Sequence, residues 1–93
     1  MFDVNEYFDG KVKSITFTVQ SEPATIGVMT AGEYEFGTSS VEHMTLISGS
    51  MAVILPGESE WREITLNETF AVEANVKFQV KVGEDCSYLC VYK

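Results

Sequence analysis

The sequence predicts an all-β domain, an antiparallel sandwich or barrel, on three observations. Apolar and polar residues alternate in eight short runs, the pattern of half-buried strands. Turn-forming residues separate the runs at intervals of roughly 8–12 residues, the spacing of a barrel or sandwich. No stretch of ten or more residues carries the 3.6-residue period of an amphipathic helix.

The first clear run, Lys11–Gln20, sets Ile15, Phe17 and Val19 against Ser14, Thr16 and Thr18. Thr25–Thr30 repeats the alternation with Ile26 and Val28, Glu33–Thr38 with Tyr34 and Phe36, and Glu42–Ser48 with Met44 and Leu46. Four more runs follow: Ser50–Leu55, Thr69–Glu73, Val76–Val82 and Cys86–Tyr92. Ala31-Gly32, Ser48-Gly49-Ser50, Pro56-Gly57-Glu58-Ser59, Ala74-Asn75 and Gly83-Glu84-Asp85 supply the turn chemistry between them. Val4–Phe8 reads at most as a helical turn stopped by Gly10. Eight or nine strands are expected.

At 93 residues the chain is a single domain spanning residues 1–93. A domain this size buries roughly 60–65 % of its unfolded surface, so a second copy covering part of it would add stability. Fourteen acidic residues against six basic ones give a net charge of -8. That excludes non-specific DNA or RNA binding, which depends on Lys and Arg neutralising a row of phosphates. It leaves room for one small anion held locally. Met1–Tyr7 is polar and acidic and has no cationic stretch leading into an apolar run, so no signal peptide is expected. The longest apolar run, Met51–Leu55, is far short of the ~20 residues of a membrane helix. Cys86 and Cys90 on one strand would lie about 13 Å apart, beyond disulfide reach. Reduced, buried thiols and a cytoplasmic location are the expectation.

The segments Asn5-Glu-Tyr-Phe, Gly10-Lys-Val-Lys-Ser-Ile15, Gly27-Val-Met, Gly32-Glu-Tyr, Met44-Thr, Ile47-Ser-Gly49 and Tyr88-Leu-Cys90 carry a more specific signal. In order and spacing the chain resembles the pyrimidine/purine nucleoside phosphorylases, a family of small single-domain cupins. The resemblance implies a cupin-type antiparallel β-barrel, a homodimer, and phosphate-dependent cleavage of many nucleosides to free base and ribose 1-phosphate. Inorganic phosphate would be the co-substrate, with no other cofactor.

Metal-binding cupins carry two histidines and a glutamate in a first motif and a third histidine in a second. Against that pattern Thr38 and Ser40 stand at the two histidine positions, Glu42 at the acid position, and Gly49 closes the motif. In the second motif Asn67 stands for the opening glycine, Glu73 and Asn75 replace a Pro-x-Gly turn, and Phe78 fills the third histidine position. With all three histidines absent a three-histidine, one-carboxylate metal site is impossible, and no metal is expected. His43, the sole histidine, lies on the parity opposite Glu42, Met44 and Leu46 and is expected to face solvent or a partner.

Phosphorolysis needs a held phosphate, a stabilised oxocarbenium-like sugar, and a stabilised leaving base, all achievable by positioning and electrostatics. Lys11 and Lys13 share parity with Ile15, Phe17 and Val19, so they either enter the barrel mouth and hold phosphate or lie past the buried span and reach water. Arg62 offers a bidentate fork but fits a surface or interface role equally. Thr38 and Ser40 can donate hydroxyl hydrogen bonds. Glu42 is the expected catalytic residue, bonding ribose hydroxyls or stabilising developing positive charge. Tyr34, Phe36, Phe78 and Tyr88 are candidate stacking surfaces for the base, and stacking tolerates any nucleobase. No general acid is evident. Two other readings compete: a non-catalytic cupin-like protein binding a small polar metabolite, and a metal-free sugar isomerase or epimerase, which would want an inward acid–base pair.

Overall fold

A computed structural model of the chain describes residues 2–93. Among them are ten strands: β1 (Val4–Tyr7), β2 (Val12–Val19), β3 (Glu22–Met29), β4 (Gly32–Gly37), β5 (Glu42–Ser48), β6 (Met51–Ile54), β7 (Arg62–Ile64), β8 (Thr69–Val72), β9 (Lys77–Val82) and β10 (Cys86–Tyr92). They form two antiparallel sheets, one of six strands in the order β1-β2-β3-β10-β5-β8 and one of four in the order β4-β9-β6-β7. The sheets face each other across one core, giving the cupin barrel that the alternation and the motif pattern predict. Met29, Met44, Leu46, Val53, Phe78, Val80 and Val82 fill its middle and are all buried.

Two of the ten strands escaped the alternation rule for identifiable reasons. β1 turns Val4 outward and Asn5 inward, so its apolar and polar residues are inverted; pairing with β2, from Val4↔Ile15 to Tyr7↔Val12, holds it in place. The helical turn expected at Val4–Phe8 is instead this strand, followed by a left-handed turn at Phe8, Asp9 and Gly10 (φ 54°, 58° and 83°). β7 has three residues and is defined by its pairing with β6. Between β2 and β3 a two-residue loop, Gln20-Ser21, has positive φ at both positions, which matches the twist of the strands it joins.

The second correction concerns which face of β2 and β3 is inside. Val12, Ser14, Ala24, Thr25, Gly27 and Met29 are buried, while Lys13, Ile15, Ile26 and Val28 are exposed. Alternation separates two faces but does not say which one meets the core. Here the apolar face of β2–β3 points away from the barrel, and with Val4 it makes a contiguous apolar surface on the outside of the six-stranded sheet. The inner face is a polar stripe: Asn5 Nδ2 donates to Ser14 Oγ (3.3 Å) and to Thr16 Oγ1 (2.9 Å), and the Thr25 and Tyr92 hydroxyls are 3.0 Å apart.

Two glycines are dictated by close approach. Gly49 (φ 83°) turns β5 into β6, where a Cβ would overlap the Asp85 backbone. Gly27 pairs with both Ser14 and Tyr88, and a Cβ there would lie 2.7 Å from the Tyr88 hydroxyl. The missing side chain lets the Tyr88 ring lie flat across β3.

Candidate functional site

The barrel core stops short of one end and leaves a cavity of about 140 Å³. Seven strands reach it. β5 supplies Glu42 and Met44, β10 supplies Tyr88, Cys90 and Tyr92, β4 supplies Phe36 and Gly37, and β9 supplies Phe78. Tyr7, Ser14 and Met29 close the side made by β1–β3. Its size is close to the ~150 Å³ that holds a single aromatic ring and below the ~300 Å³ of ordinary ligand pockets. One flat ring fits inside; anything attached to the ring must sit in the open mouth.

Local register explains why these side chains meet. Tyr92 pairs with Glu42 and Cys90 with Met44 along β10 and β5, so the inward residues of both strands stand side by side. A register shift between Ser87 and Tyr88 puts Ile47 opposite no partner and exposes it, while Leu46, Met44 and Glu42 keep the inward phase. On the opposite sheet Phe36 pairs with Phe78, their ring centroids 5.8 Å apart. Phe36 in turn meets Phe8 edge-on at 5.6 Å. Offset and edge-to-face pairs of this kind each add about 1 kcal/mol beyond their burial.

Among the described residues Glu42 is the only charged one lining the cavity. The Cys90 thiol donates to its Oε1 (3.5 Å), and no cation stands beside it. Burial therefore holds its pKa above the ordinary carboxylate value, with the thiol contact only partly opposing the rise. The same burial pushes the Tyr88 hydroxyl up to about 12, against a hydrogen bond from Ser14, and moves Cys90 and Tyr92 upward as well. All three stay neutral in ordinary buffers. Thr25, Tyr92, Cys90 and Glu42 form one hydrogen-bonded line from the sheet to the cavity.

Four of the sequence-predicted residues come together in this cavity: Glu42, Phe36, Phe78 and Tyr88. Five do not. Lys13 lies on the outer face, 3.2 Å from Glu6, and Lys11 is exposed on the same parity; of the two alternatives for these lysines the one that sends them to water holds, because the apolar face of β2 turns away from the core. Tyr34 is buried beyond Phe36, donating its hydroxyl to the Thr30 carbonyl (2.8 Å), so it fills the barrel instead of lining the cavity. Thr38 ties down the 73–76 turn: its hydroxyl donates to the Glu73 carbonyl (2.6 Å) and accepts from Val76 N (3.1 Å). Ser40 is half-buried outside the lining. Arg62 is engaged with Glu58 (3.9 Å) and Glu68 (3.5 Å) on the other sheet. The residues sequence reasoning missed are Tyr7, Ser14, Cys90 and Tyr92. Of these, Tyr92 had a usable signal, since it shares the inward parity of Tyr88.

A search among known proteins gives this geometry its family. The family model described as pyrimidine/purine nucleoside phosphorylase matches residues 2–92. The chain belongs to that family. It is 58 % identical over all 93 residues to the pyrimidine/purine nucleoside phosphorylase of Pseudomonas aeruginosa (strain LESB58), covering 100 % of both chains. The protein of that name from Alcanivorax borkumensis is also 58 % identical, over 99 % of this chain and 98 % of its own. Among solved structures, a Vibrio parahaemolyticus protein of unknown function superposes with a TM-score of 0.95 at 39 % identity, over 100 % of this chain and 99 % of that one. An EutQ-type protein from Salmonella typhimurium LT2 shares the fold alone, with a TM-score of 0.75 at 12 % identity over 99 % and 93 % of the two chains.

The fold is shared with metal-binding cupins, but the donor set here does not fit a metal. Phe78 presents a hydrocarbon ring, and Thr38 is committed to the backbone of a turn. No group of three or more His, Cys, Asp or Glu that could hold an ion is found among the described residues. The lost Pro-x-Gly turn is repaired locally. Asn67 (φ 68°) and Asn75 (φ 62°) both adopt the left-handed conformation at positions where the cupin pattern has glycine, and asparagine is the side chain that tolerates it best.

The uncompensated burial of Glu42 has a measurable sign. Its folded pKa lies above the unfolded one, so its contribution to stability is intact below the unfolded value and is lost as pH rises through the folded value. Above that range the native state carries a desolvated charge that the unfolded chain does not. Glu42→Gln is therefore expected to melt higher than the wild type at pH 7–8 and at the same temperature near pH 4, by calorimetry. A variant that melts lower at pH 7–8 would contradict a buried, unpaired carboxylate.

Proposed function

We propose that the cavity is the active site of a broad-specificity nucleoside phosphorylase, which cleaves purine and pyrimidine nucleosides with inorganic phosphate to free base and α-D-ribose 1-phosphate. The observation that carries this is the meeting of one carboxylate with the faces of Phe36, Phe78 and Tyr88 in a space of about 140 Å³. The base enters as the flat ring and stacks on these aromatics. Stacking discriminates weakly between bases, whereas buried edge donors would reject the wrong one by orders of magnitude. The sugar then lies in the mouth beside Glu42, whose carboxyl bonds its hydroxyls or faces the charge that develops at the anomeric carbon. Phosphate approaches from solvent. Its contacts come from hydroxyls and backbone N–H groups at the rim, because the lysines expected to hold it point elsewhere.

Membership of a family whose members are named for this activity supports the reading. One observation favours the alternative, a pocket that binds a small metabolite without turnover: no Lys or Arg lines the cavity. Release of free base from uridine and adenosine, with and without phosphate, decides between them. Phosphate-dependent release from both is expected, and Glu42→Ala is expected to lower turnover by about 100-fold, ~3 kcal/mol of transition-state stabilisation. Binding without release would favour the alternative, and a loss under threefold would remove Glu42 from the site.

The working unit is a homodimer in the cytoplasm, using no metal or organic cofactor. Cys86 and Cys90, both free and buried, support a reducing compartment. Val4, Ile15, Ile26 and Val28 form an exposed apolar face, with Val28 54 % and Val4 62 % accessible. At a net charge of -8 two copies repel except across a surface without net charge, and on this face Lys13 is neutralised by Glu6, so this is where a second copy docks. The wild type is expected to run at twice the chain mass in light scattering, and Val28→Glu at the chain mass with unchanged circular dichroism. A monomeric wild type at tens of micromolar would overturn the assignment.

A further inference from the structure

All six cationic side chains lie away from the cavity. Lys13, Arg62 and Lys93 are paired with Glu6, Glu58 and Glu68, and Glu22 respectively; Lys81 lies over the Trp61 ring at 4.6 Å; Lys11 and Lys77 are exposed on outer faces. A phosphate dianion entering this space meets no side-chain cation among the described residues, and it meets one carboxyl. If that carboxyl were charged, two anions would share a half-desolvated pocket, an arrangement that raises the proton affinity of both. The groups facing Glu42 are the Cys90 thiol and the Tyr92 and Tyr88 hydroxyls from β10, the Tyr7 hydroxyl from β1, and hydrocarbon from β4, β8 and β9. Burial holds the Cys90, Tyr92 and Tyr88 protons in place. His43 is on the opposite face of β5, and Lys93 is held by Glu22. Nothing in the pocket offsets a carboxylate, whereas the neutral carboxyl has one role ready, that of a proton donor.

Resting on the phosphorolysis reading, we infer that Glu42 works as the neutral general acid of the site, holding the proton that lets phosphate enter and delivering it to the leaving base. The cycle balances. A phosphate oxygen forms a bond to the anomeric carbon as the carbon–nitrogen bond breaks, its electron pair passing to the base. The Glu42 carboxyl proton goes to the base, which leaves neutral. The carboxylate regains a proton from the remaining O–H of the sugar phosphate, an acid with a second pKa near ~6. The Thr25–Tyr92–Cys90 line holds the carboxyl oriented, its thiol donating to Oε1 and leaving Oε2 to face the base. This differs from a carboxylate that stabilises the sugar cation, which must be ionised.

Leaving-group dependence separates the two roles. Glu42→Gln cannot give up a proton, so its turnover of uridine is expected to fall at least 100-fold. On 4-nitrophenyl riboside, whose leaving group departs as an anion, the loss is expected to stay under fivefold. The wild type is expected to take up protons on binding inorganic phosphate at pH 7.5, read by calorimetry in two buffers of different ionisation heat, and Glu42→Gln to take up none. Equal losses on the two substrates, or phosphate binding with no proton uptake, overturn the general-acid role and leave phosphorolysis standing. Absence of phosphate-dependent base release by the wild type overturns phosphorolysis and the acid role together.

Discussion

A carboxyl half-buried at the end of a barrel with no cation beside it is an expensive arrangement, and much of the structure follows from how it is tolerated. Removing an ionised carboxylate from water costs several kcal/mol unless it is paired or protonated. The barrel supplies neither Lys nor Arg. It offers a thiol, three phenol hydroxyls and aromatic faces, and burial keeps the Cys90, Tyr88 and Tyr92 protons in place. The pocket is therefore a low-charge space around a single carboxyl.

The sheets make that space by two departures from regular packing. At the β3 position where β2 and β10 both pair, a glycine replaces a side chain, so Tyr88 lies over the backbone with its hydroxyl on Ser14. The inner face of β1–β3 carries a row of hydroxyls and an amide, which keeps that wall polar and hydrogen-bonded to itself. The remainder of the core is conventional aliphatic and aromatic packing at the other end, and it fixes the two sheets against each other.

Most of the fold was legible in the sequence because period-two alternation and turn residues act locally. Eight of the ten strands carry that signal; β1 has it inverted, and β7 is too short to show it. The inside of β2 and β3 was not legible, since alternation marks two faces and leaves their sense to tertiary contacts. Here the apolar face turns outward, and Lys11 and Lys13 go with it to solvent instead of into the barrel mouth. Glu42 and Phe78 are legible because the cupin pattern and strand parity agree about them, and Phe36 and Tyr88 because they are aromatics of inward parity. Thr38 and Ser40 were chosen by position in that pattern alone, and Thr38 has become a backbone staple instead of a ligand. Ser14 and Cys90 lie in segments that carry the family resemblance but hold no place in the cupin metal motif, and Tyr92 offers only its parity; the register between β10 and β5 and the hydroxyl row on β2 bring them to the cavity.

The central claim is that the recognition chemistry of this protein is concentrated at one end of the barrel, around Glu42. Amide chemical-shift mapping during titration with a nucleoside in the presence of phosphate tests it most directly. Perturbations are predicted to cluster at Gly37, Glu42–Met44 and Tyr88–Tyr92, with the outer face of β2 and β3 unmoved. Perturbations confined to Ile15, Ile26 and Val28, or to the region of Arg62, would contradict the account.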